Sequence, residues 1–376
     1  MRWDVIVVGG GPAGATVARN LATRGIRCLL LEKKKMPRYK PCGGGLTVKT
    51  MKELEELPAD LVQDQTQKII FCHRGKQPFE LTFPEPVLTM VMRNDLDDFL
   101  FKKAAQAGAE VKDGLAVEAV SENCDGVEVR AGGEIYQGRF LVGADGARSV
   151  VARQLGLNPV RSQGITLECE FPVGEEVLAR YRRSVLLSYG GIPGGYAWVF
   201  PKKKHLSVGI GSFNHRLRKL KTYLENFLKD LGLPLPPPGT CRAALLPTAT
   251  GARSILHSQR ALVTGDAAGL ADPFTGEGIY YALRSARLAT QVLEQALAGE
   301  VTLEAYSLRI AGELLPELRR AAQIARVVYR LTPVVHRLVL ANQQVAGCLL
   351  AVLCGRSTYS ELWQYLRGKY SLFRGA

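Results

Sequence analysis

The sequence predicts an α/β composite fold: a parallel-sheet domain with an inserted mixed or antiparallel sheet, followed by a helical C-terminal region. Three observations predict it. At the start of the chain a glycine-rich turn stands between an apolar strand and an alanine-rich helix. Two further strand–glycine–aspartate segments occur, around Phe140–Val151 and Ala261–Ile279. Between them, runs such as Ser184–Leu187 and Leu206–Ile210 read as strands of a sheet, whereas residues 300–376 are amphipathic and helical in pattern.

The chain has 376 residues, 47% of them hydrophobic and 22% charged, which suits a globular chain of two or three domains or one large composite. At this size most apolar surface can be buried without a disulfide or metal staple. The composition excludes a disordered chain, a collagen-like repeat and a small secreted scaffold. The formal charge of +14 is uneven. Val177–Leu224 holds ten basic residues and no acidic one, and Leu318–Ala376 holds nine basic residues against Glu361 alone. Such segments suit nucleic acid, an anionic membrane or a phosphorylated substrate. No nucleic-acid module accompanies them, so nucleic acid is the weakest of the three.

The eight cysteines form no CxxC pair, and the five histidines show no metal-ligand spacing, so no metal is expected. Free thiols in a reducing, cytoplasmic setting are the expectation. His205 and His215 read as surface residues of the basic segment. No secretory signal follows Met1-Arg2, and no apolar run reaches about 18 residues. The nearest, Leu331–Gly355, is broken by His336, Arg337 and Asn342–Gln344 and reads as a buried or interfacial helical region.

Trp3–Val8 is an apolar strand, and Gly9, Gly11 and Gly14 form GxGxxG before the helix that begins near Ala15. A second strand, Cys28–Leu31, ends on Glu32. In this βαβ setting Gly9 permits the tight turn, Gly11 admits a pyrophosphate close to the backbone, and Gly14 lets helix pack on strand. The helix N-terminus attracts the anion, and Glu32 would accept from ribose hydroxyls. These parts together predict a Rossmann-like dinucleotide site. Farther on, Gly143-Ala144-Asp145-Gly146 and Gly265-Asp266 each follow a strand. Gly276 and Gly278 precede a helix, which would bring backbone N–H groups and a positive helix end to a ligand.

The trio GGGPAG, GADGARS and GDAAG resembles the flavoprotein group that contains para-hydroxybenzoate hydroxylase, over most of the first 300 residues. That resemblance implies FAD, with Asp266 on the ribityl chain, Gly278 and Ile279 at the isoalloxazine, and the Asp145 segment near the pyrophosphate. More narrowly, RYKPCGGGL (Arg38–Leu46) and GYAWVFPK (Gly195–Lys202) look like motifs of the geranylgeranyl reductase family, whose members saturate isoprenoid chains. The first resembles that family's cysteine–glycine loop beside the flavin, with Cys42, Gly43 and Gly45. The resemblance also suggests that Arg93 contacts the FAD phosphate or ribityl region, and, by analogy, that the adenine rests near Val117.

Period-2 alternation places Tyr196, Trp198 and Phe200 on one face of a strand, an apolar wall for a hydrocarbon chain or else a face of the domain core. Pro201 ends the strand, and Lys202–Lys204 would give it a cationic mouth for a phosphate head. Cys42 sits at the flavin or shapes its surroundings. It lacks a CxxxxC partner, so flavin–disulfide exchange is not expected. Near Arg93, either Asn94 or Asp95 would cap a helix running to about Ala107.

The expected division is an FAD-binding domain over 1–70, 90–160 and 250–300, a substrate domain over 70–90 and 160–250, and a helical region over 300–376. Pro234–Pro238 would be a rigid connector leaving the substrate domain. On the family reading the chain is an FAD-dependent, lipid-directed reductase of C=C bonds in a geranylgeranyl or polyprenyl chain. The prenyl group would be carried on a lipid, diphosphate, quinone or chlorophyll-type substrate. Hydride would come from flavin N5, and the proton from Cys42, Tyr196 or a water. With a single GxGxxG, NAD(P)H would visit transiently, or a ferredoxin-like acidic carrier would deliver electrons. The chain would be cytoplasmic, at most peripheral on the inner face of an anionic membrane. Two other readings stand beside it: a flavin monooxygenase of an apolar substrate, and a non-catalytic flavin-binding membrane-associated protein. Halogenation is disfavoured because the WxWxIP element of that group has Tyr196 and Phe200 here.

Overall fold

The computed structural model describes residues 2–157, 161–214, 216–250 and 254–373, Arg161 through its backbone alone. They form two compact units. The first comprises Met1–Lys40, Asn94–Ser162 and Pro247–Leu318; the second comprises Pro41–Arg93, Gln163–Leu246 and Arg319–Ala376.

The first unit is the Rossmann-like α/β part. Its sheet runs Glu110–Asp113, Cys28–Glu32, Arg2–Val8, Glu134–Gly143, Val127–Ala131 and Val117–Glu122, with Ala261–Val263 paired to the end of Glu134–Gly143. The first four of these strands and Ala261–Val263 pair in parallel, whereas residues 117–143 form an antiparallel meander. Val5, Ile6, Val7, Leu29 and Leu30 are fully buried, because helices cover a parallel sheet on both faces. Helix Pro12–Ala22 packs beside helix Ile279–Leu297, which is a helix of 19 residues. Helix Glu304–Glu313 joins them through the fully buried Tyr306 and Ile310.

In the second unit a seven-stranded mixed sheet runs Cys241–Ala249, Arg161–Pro172, His205–Ser212, Gly195–Pro201, Ser184–Tyr189, Lys68–His73 and Lys76–Thr82. Ser184–Tyr189 pairs in parallel with Lys68–His73. The alternation of Gly195–Pro201 gives the sheet two unlike faces. Ala197 and Val199 face a core with Leu178, Tyr181, Leu224, Phe227 and Leu228 from helices Glu175–Tyr181 and Leu220–Asp230. On the opposite face, Ile69, Phe71 and Val185 pack with Val335, Val339, Ala346 and Leu350 of helices Thr332–Ala341 and Gln344–Leu353. A three-stranded sheet of Gly45–Thr47, Leu88–Val91 and Val62–Thr66 completes the unit. Among the described residues no helix is long and apolar enough to cross a membrane.

The division falls elsewhere than expected from sequence. Residues 41–70 belong with the second unit, because Gly45–Thr47 pairs with Leu88–Val91 and Lys68–His73 with Ser184–Tyr189. Residues 300–376 are not one region: Glu304–Glu313 stays with the first unit, and the chain from Arg319 onward joins the second. Pro234–Pro238 does not leave its unit but links helix Leu220–Asp230 to strand Cys241–Ala249 inside it.

The expectation of free thiols fails for one pair. Cys169 and Cys241, on adjacent strands with Cα atoms 4.2 Å apart, form a disulfide, a pairing that a sequence separation of 72 hides from any spacing rule. Helix Arg93–Gln106 begins at Arg93, which places Asp95 in its first turn, beside the positive helix end, rather than at the cap. His205 is half-buried in strand His205–Ser212 rather than a surface residue, and His215 lies outside the described residues.

Candidate active site

At the end of strand Arg2–Val8 the chain must reverse. Gly9 does so at φ +107°, which side-chain-bearing residues rarely adopt. A Cβ on Gly14 would lie 1.9 Å from the Gly9 carbonyl oxygen, so the helix sits directly on the turn. Gly11 is different: its nearest neighbour would be Arg38 Nη2 at 3.5 Å, leaving the backbone open to a ligand. Gly11 also starts helix Pro12–Ala22 with no side-chain cap and no acid in the first turn. Its first N–H groups therefore suit an anion.

Glu32, buried at the end of the second strand, accepts from Gly10 N–H at 2.8 Å and Lys34 N–H at 3.0 Å. Arg38 Nε lies 3.3 Å from Glu32 Oε1, and Arg38 Nη1 donates to Asp97 Oδ2 at 2.9 Å. The carboxylate expected on a ribose thus also braces the glycine turn. Arg38 holds a largely buried cation beside Gly11, where a pyrophosphate would need one.

Ala144 N–H donates to Val8 O at 2.8 Å, placing the Asp145 segment against the turn. Asp145 itself accepts from Val150 N–H at 2.6 Å and Val151 N–H at 3.3 Å, so one oxygen holds the start of the short helix Val150–Gln154. Burial pushes its carboxyl up, while the Ser149 hydroxyl and these N–H groups hold it down. Its Oδ1 has no partner among the described residues. Val117 opens the strand Val117–Glu122 of the meander.

Asp266 follows Gly265 and lies 3.2 Å from Lys40 Nζ. Gly276 turns at φ +74°, and Gly278 begins helix Ile279–Leu297 with no side-chain cap and no first-turn acid. A Cβ on Gly278 would stand 3.4 Å from Asp266 Oδ1. Within one unit, then, Asp266, Gly278, Ile279 and Lys40 come together. Two uncapped helix ends, an open glycine backbone and the cations of Arg38 and Lys40 fit the pyrophosphate of a dinucleotide.

In the second unit, strand register builds a second group of candidate residues. Ring centroids of Tyr196 and Trp198 lie 6.0 Å apart, and those of Trp198 and Phe200 6.2 Å apart, so the three aromatics do share a face. One row across the sheet reads His73, Tyr189, Tyr196, Gly211, Thr166; the next reads Phe71, Leu187, Trp198, Gly209, Glu168. Gly209 is required beside the indole, since its Cβ would fall 2.2 Å from Trp198. At one end of the rows, Tyr189 Oη and His336 Nδ1 are 2.6 Å apart. At the other stands Glu168.

The cysteine–glycine loop lies on this aromatic ladder. A Cβ on Gly43 would meet the Phe200 ring at 2.8 Å and Trp198 Nε1 at 3.1 Å, and one on Gly45 the Phe200 ring at 3.3 Å. The glycines thus admit the aromatic rings. The buried indole N–H of Trp198 has no partner among the described residues. Cys42 is partly exposed; its N–H donates to Glu168, and its Sγ accepts from Gly44 N–H at 3.4 Å. Lys202 is not the cationic mouth expected of it. It is 2% exposed and donates to Gly43 O and Val91 O, each at 2.8 Å. Burial pulls its ammonium down, and Glu170 and Glu168 pull it back up. Glu168 is pushed up by burial and held down by Ser207, Lys202, Cys42 N–H and Arg93. Arg93, at the start of its helix, is buried and acts electrostatically on Glu168.

Sequence reasoning passed over Arg38, Lys40, Glu168 and Tyr189. Arg38 and Lys40 stood inside a quoted motif, flanking its backbone-approach residues. Glu168 carried a signal too, as an acid in the alternating run Leu167–Phe171. Tyr189 had none, because its partner His336 is 147 positions away.

Residues 2–182 match the FAD binding domain, and residues 183–235 the geranylgeranyl reductase catalytic domain. The chain is 30% identical over 342 residues to an uncharacterised protein of Methanosarcina barkeri, covering 90% of this chain and 87% of that one. It is 31% identical over 319 residues to the digeranylgeranylglycerophospholipid reductase of Thermoplasma volcanium, with 78% of each covered. A geranylgeranyl bacteriochlorophyll reductase-like protein of Thermoplasma acidophilum shares its fold with a TM-score of 0.81 at 23% identity, over 98% of this chain and 99% of that one. The flavin-dependent brominase Bmp2 is alike in fold alone, with a TM-score of 0.75 at 19% identity over 94% of each chain. With motifs, fold and relatives in agreement, the chain belongs to the geranylgeranyl reductase family and is an FAD-dependent oxidoreductase.

Proposed function

We propose that the protein saturates C=C bonds of a geranylgeranyl-type chain carried on a polar lipid head. The observation that carries this reading is the aromatic row Tyr196, Trp198 and Phe200 on one strand face, with the Cys42–Gly45 loop laid on Trp198 and Phe200. The phospholipid named for the Thermoplasma volcanium relative supports a lipid-borne substrate.

FAD would be held through its pyrophosphate by the Gly9–Gly14 turn and Arg38, with the Asp145 segment alongside. Glu32 would take its ribose, and Val117 would lie by the adenine. Asp266 would take the ribityl chain, with Lys40, Gly276, Gly278 and Ile279 toward the ring. When bound and reduced, this cofactor supplies a hydride.

An unactivated alkene accepts hydride poorly, so a proton must reach the other carbon as the hydride arrives. Tyr196 Oη and Cys42 Sγ carry transferable protons on the apolar face or its loop, and a water held there is the third source. The aromatic wall excludes bulk water and keeps the chain extended. Electrons would come from a visiting NAD(P)H or from an acidic carrier drawn by Val177–Leu224. Helix Thr332–Ala341 exposes Val334, Arg337 and Leu340, a surface suited to an anionic membrane.

The test is anaerobic. Holoenzyme bleached with dithionite, then freed of reductant, should regain its yellow absorbance on adding a geranylgeranyl phospholipid and not on adding the saturated lipid. Failure to re-oxidise would favour a flavin-binding protein without turnover.

A further inference from the structure

We propose that Glu168 and Lys202 are positioning residues that grip the Cys42–Gly44 backbone from its two polar sides and thereby set where the Cys42 thiol points. The proposal rests on the reading that this loop serves the reductase reaction. Glu168 accepts the N–H of Cys42 and is anchored by Ser207 Oγ, which donates to its other oxygen at 2.7 Å. Lys202 donates to the carbonyl of the next residue, Gly43, and to that of Val91. Val91 N–H in turn donates to Gly44 O at 2.8 Å. Gly44 sits at φ +65°, and a Cβ there would lie 2.1 Å from Val91 O and 2.8 Å from Lys202 Nζ. The loop is therefore held at four polar groups, Cys42 N–H, Gly43 O, Gly44 N–H and Gly44 O.

Both charges are almost wholly buried, Glu168 at 1% and Lys202 at 2% exposure. Burying them costs free energy that hydrogen bonds to one short loop only partly offset, and a neutral pair would hold a merely structural loop as well. What the charged pair adds is direction. A carboxylate fixes the N–H of Cys42 and an ammonium fixes the C=O of Gly43, so the peptide planes before Cys42 and after Gly43 are both held, and the short stretch between them is fixed at its two ends. The thiol between these anchors, with Gly44 N–H on its sulfur, then has one orientation.

Variants of the pair, read first by stability and labelling and then by kcat and KM, separate positioning from folding. The first readouts are the thermal midpoint and the rate at which iodoacetamide labels Cys42 in holoenzyme, resolved by peptide mass spectrometry with exposed Cys124 as internal reference. Glu168→Gln and Lys202→Met each leave one buried charge unmatched and should lower the midpoint. The double variant removes both charges and should recover most of it. If the pair positions the loop, Cys42 labelling in the double variant still differs several-fold from wild type, and kcat falls about tenfold or more with KM little changed. Recovery of the midpoint together with wild-type labelling would overturn the proposal. Should the double variant not fold, Ser207→Ala, which frees one Glu168 oxygen and leaves both charges in place, must still alter Cys42 labelling relative to Cys124; an unchanged ratio would equally overturn it. If wild-type enzyme reduces no prenyl lipid, the reductase reading fails while the labelling still decides the clamp.

Discussion

Gly43 marks the tightest contact between the loop and the aromatic ladder. Gly43→Ala would drive a methyl group into the Phe200 ring, and overpacking of this kind costs about 1–3 kcal/mol. Thermal unfolding should show the loss, and Phe200→Leu in the same chain should return part of it. Gly14→Ala is harsher, because its Cβ would meet backbone rather than a movable ring. That variant should purify without flavin colour, whereas Gly174→Ala, whose Cβ would meet open space, should retain it. The histidines predict a pH dependence. Burial holds His73, His205, His257 and His336 below the ordinary imidazole value. As pH falls through about 6.5, the unfolded chain takes up protons that the folded chain resists, so stability declines toward acid. The thermal midpoint should be level above neutrality and drop as pH falls below about 6.5; His73→Gln with His336→Gln should flatten that drop. Residues that belong to contiguous motifs, such as Gly9, Gly11, Gly14 and Asp266, could be picked out from sequence because spacing alone exposes them. Glu168 and Lys202 could not be paired with their targets. Cys42 lies 126 positions from its acceptor Glu168, and only the folding of its loop onto the sheet brings them together.

Strands and helices were more legible than their pairings. GYAWVFPK announces a strand with one aromatic face, and the structure has it at Gly195–Pro201. Alternation does not say which strand lies alongside, and therefore could not reveal that Gly209 makes room for Trp198 or that Tyr189 stands beside Tyr196. The disulfide between Cys169 and Cys241 escaped for the same reason. The broken apolar stretch after Leu331 was readable as buried helix, and its two helices do cover the sheet through Val335, Val339, Ala346 and Leu350. Their outer side bears on the membrane proposal. Val334→Glu with Leu340→Glu should abolish sedimentation with vesicles containing phosphatidylglycerol and leave the thermal midpoint unchanged, since both side chains are exposed. Binding of wild type should weaken as salt rises and be absent on neutral vesicles. Equal binding to neutral vesicles would refute the electrostatic part of that proposal.

At the scale of the molecule, the charge of +14 is informative only once it is divided. Lys202 belongs to the interior, whereas the other basic residues of Val177–Leu224 are exposed and supply the charge a partner would meet. The two-unit division has a similar lesson: residues 41–93 are early in sequence yet build the second unit, which is why the Cys42 loop and the aromatic strand occur together. Fold class and cofactor follow from local motifs; the chemistry depends on long-range register. The central claim is that this chemistry is reduction of a prenyl C=C bond. Holoenzyme, dithionite and a geranylgeranyl phospholipid should be incubated anaerobically and the lipid analysed by mass spectrometry. Reduction predicts products heavier by two hydrogen atoms for each bond saturated. A product gaining one oxygen atom instead, formed only when air is admitted with NAD(P)H as reductant, would contradict it.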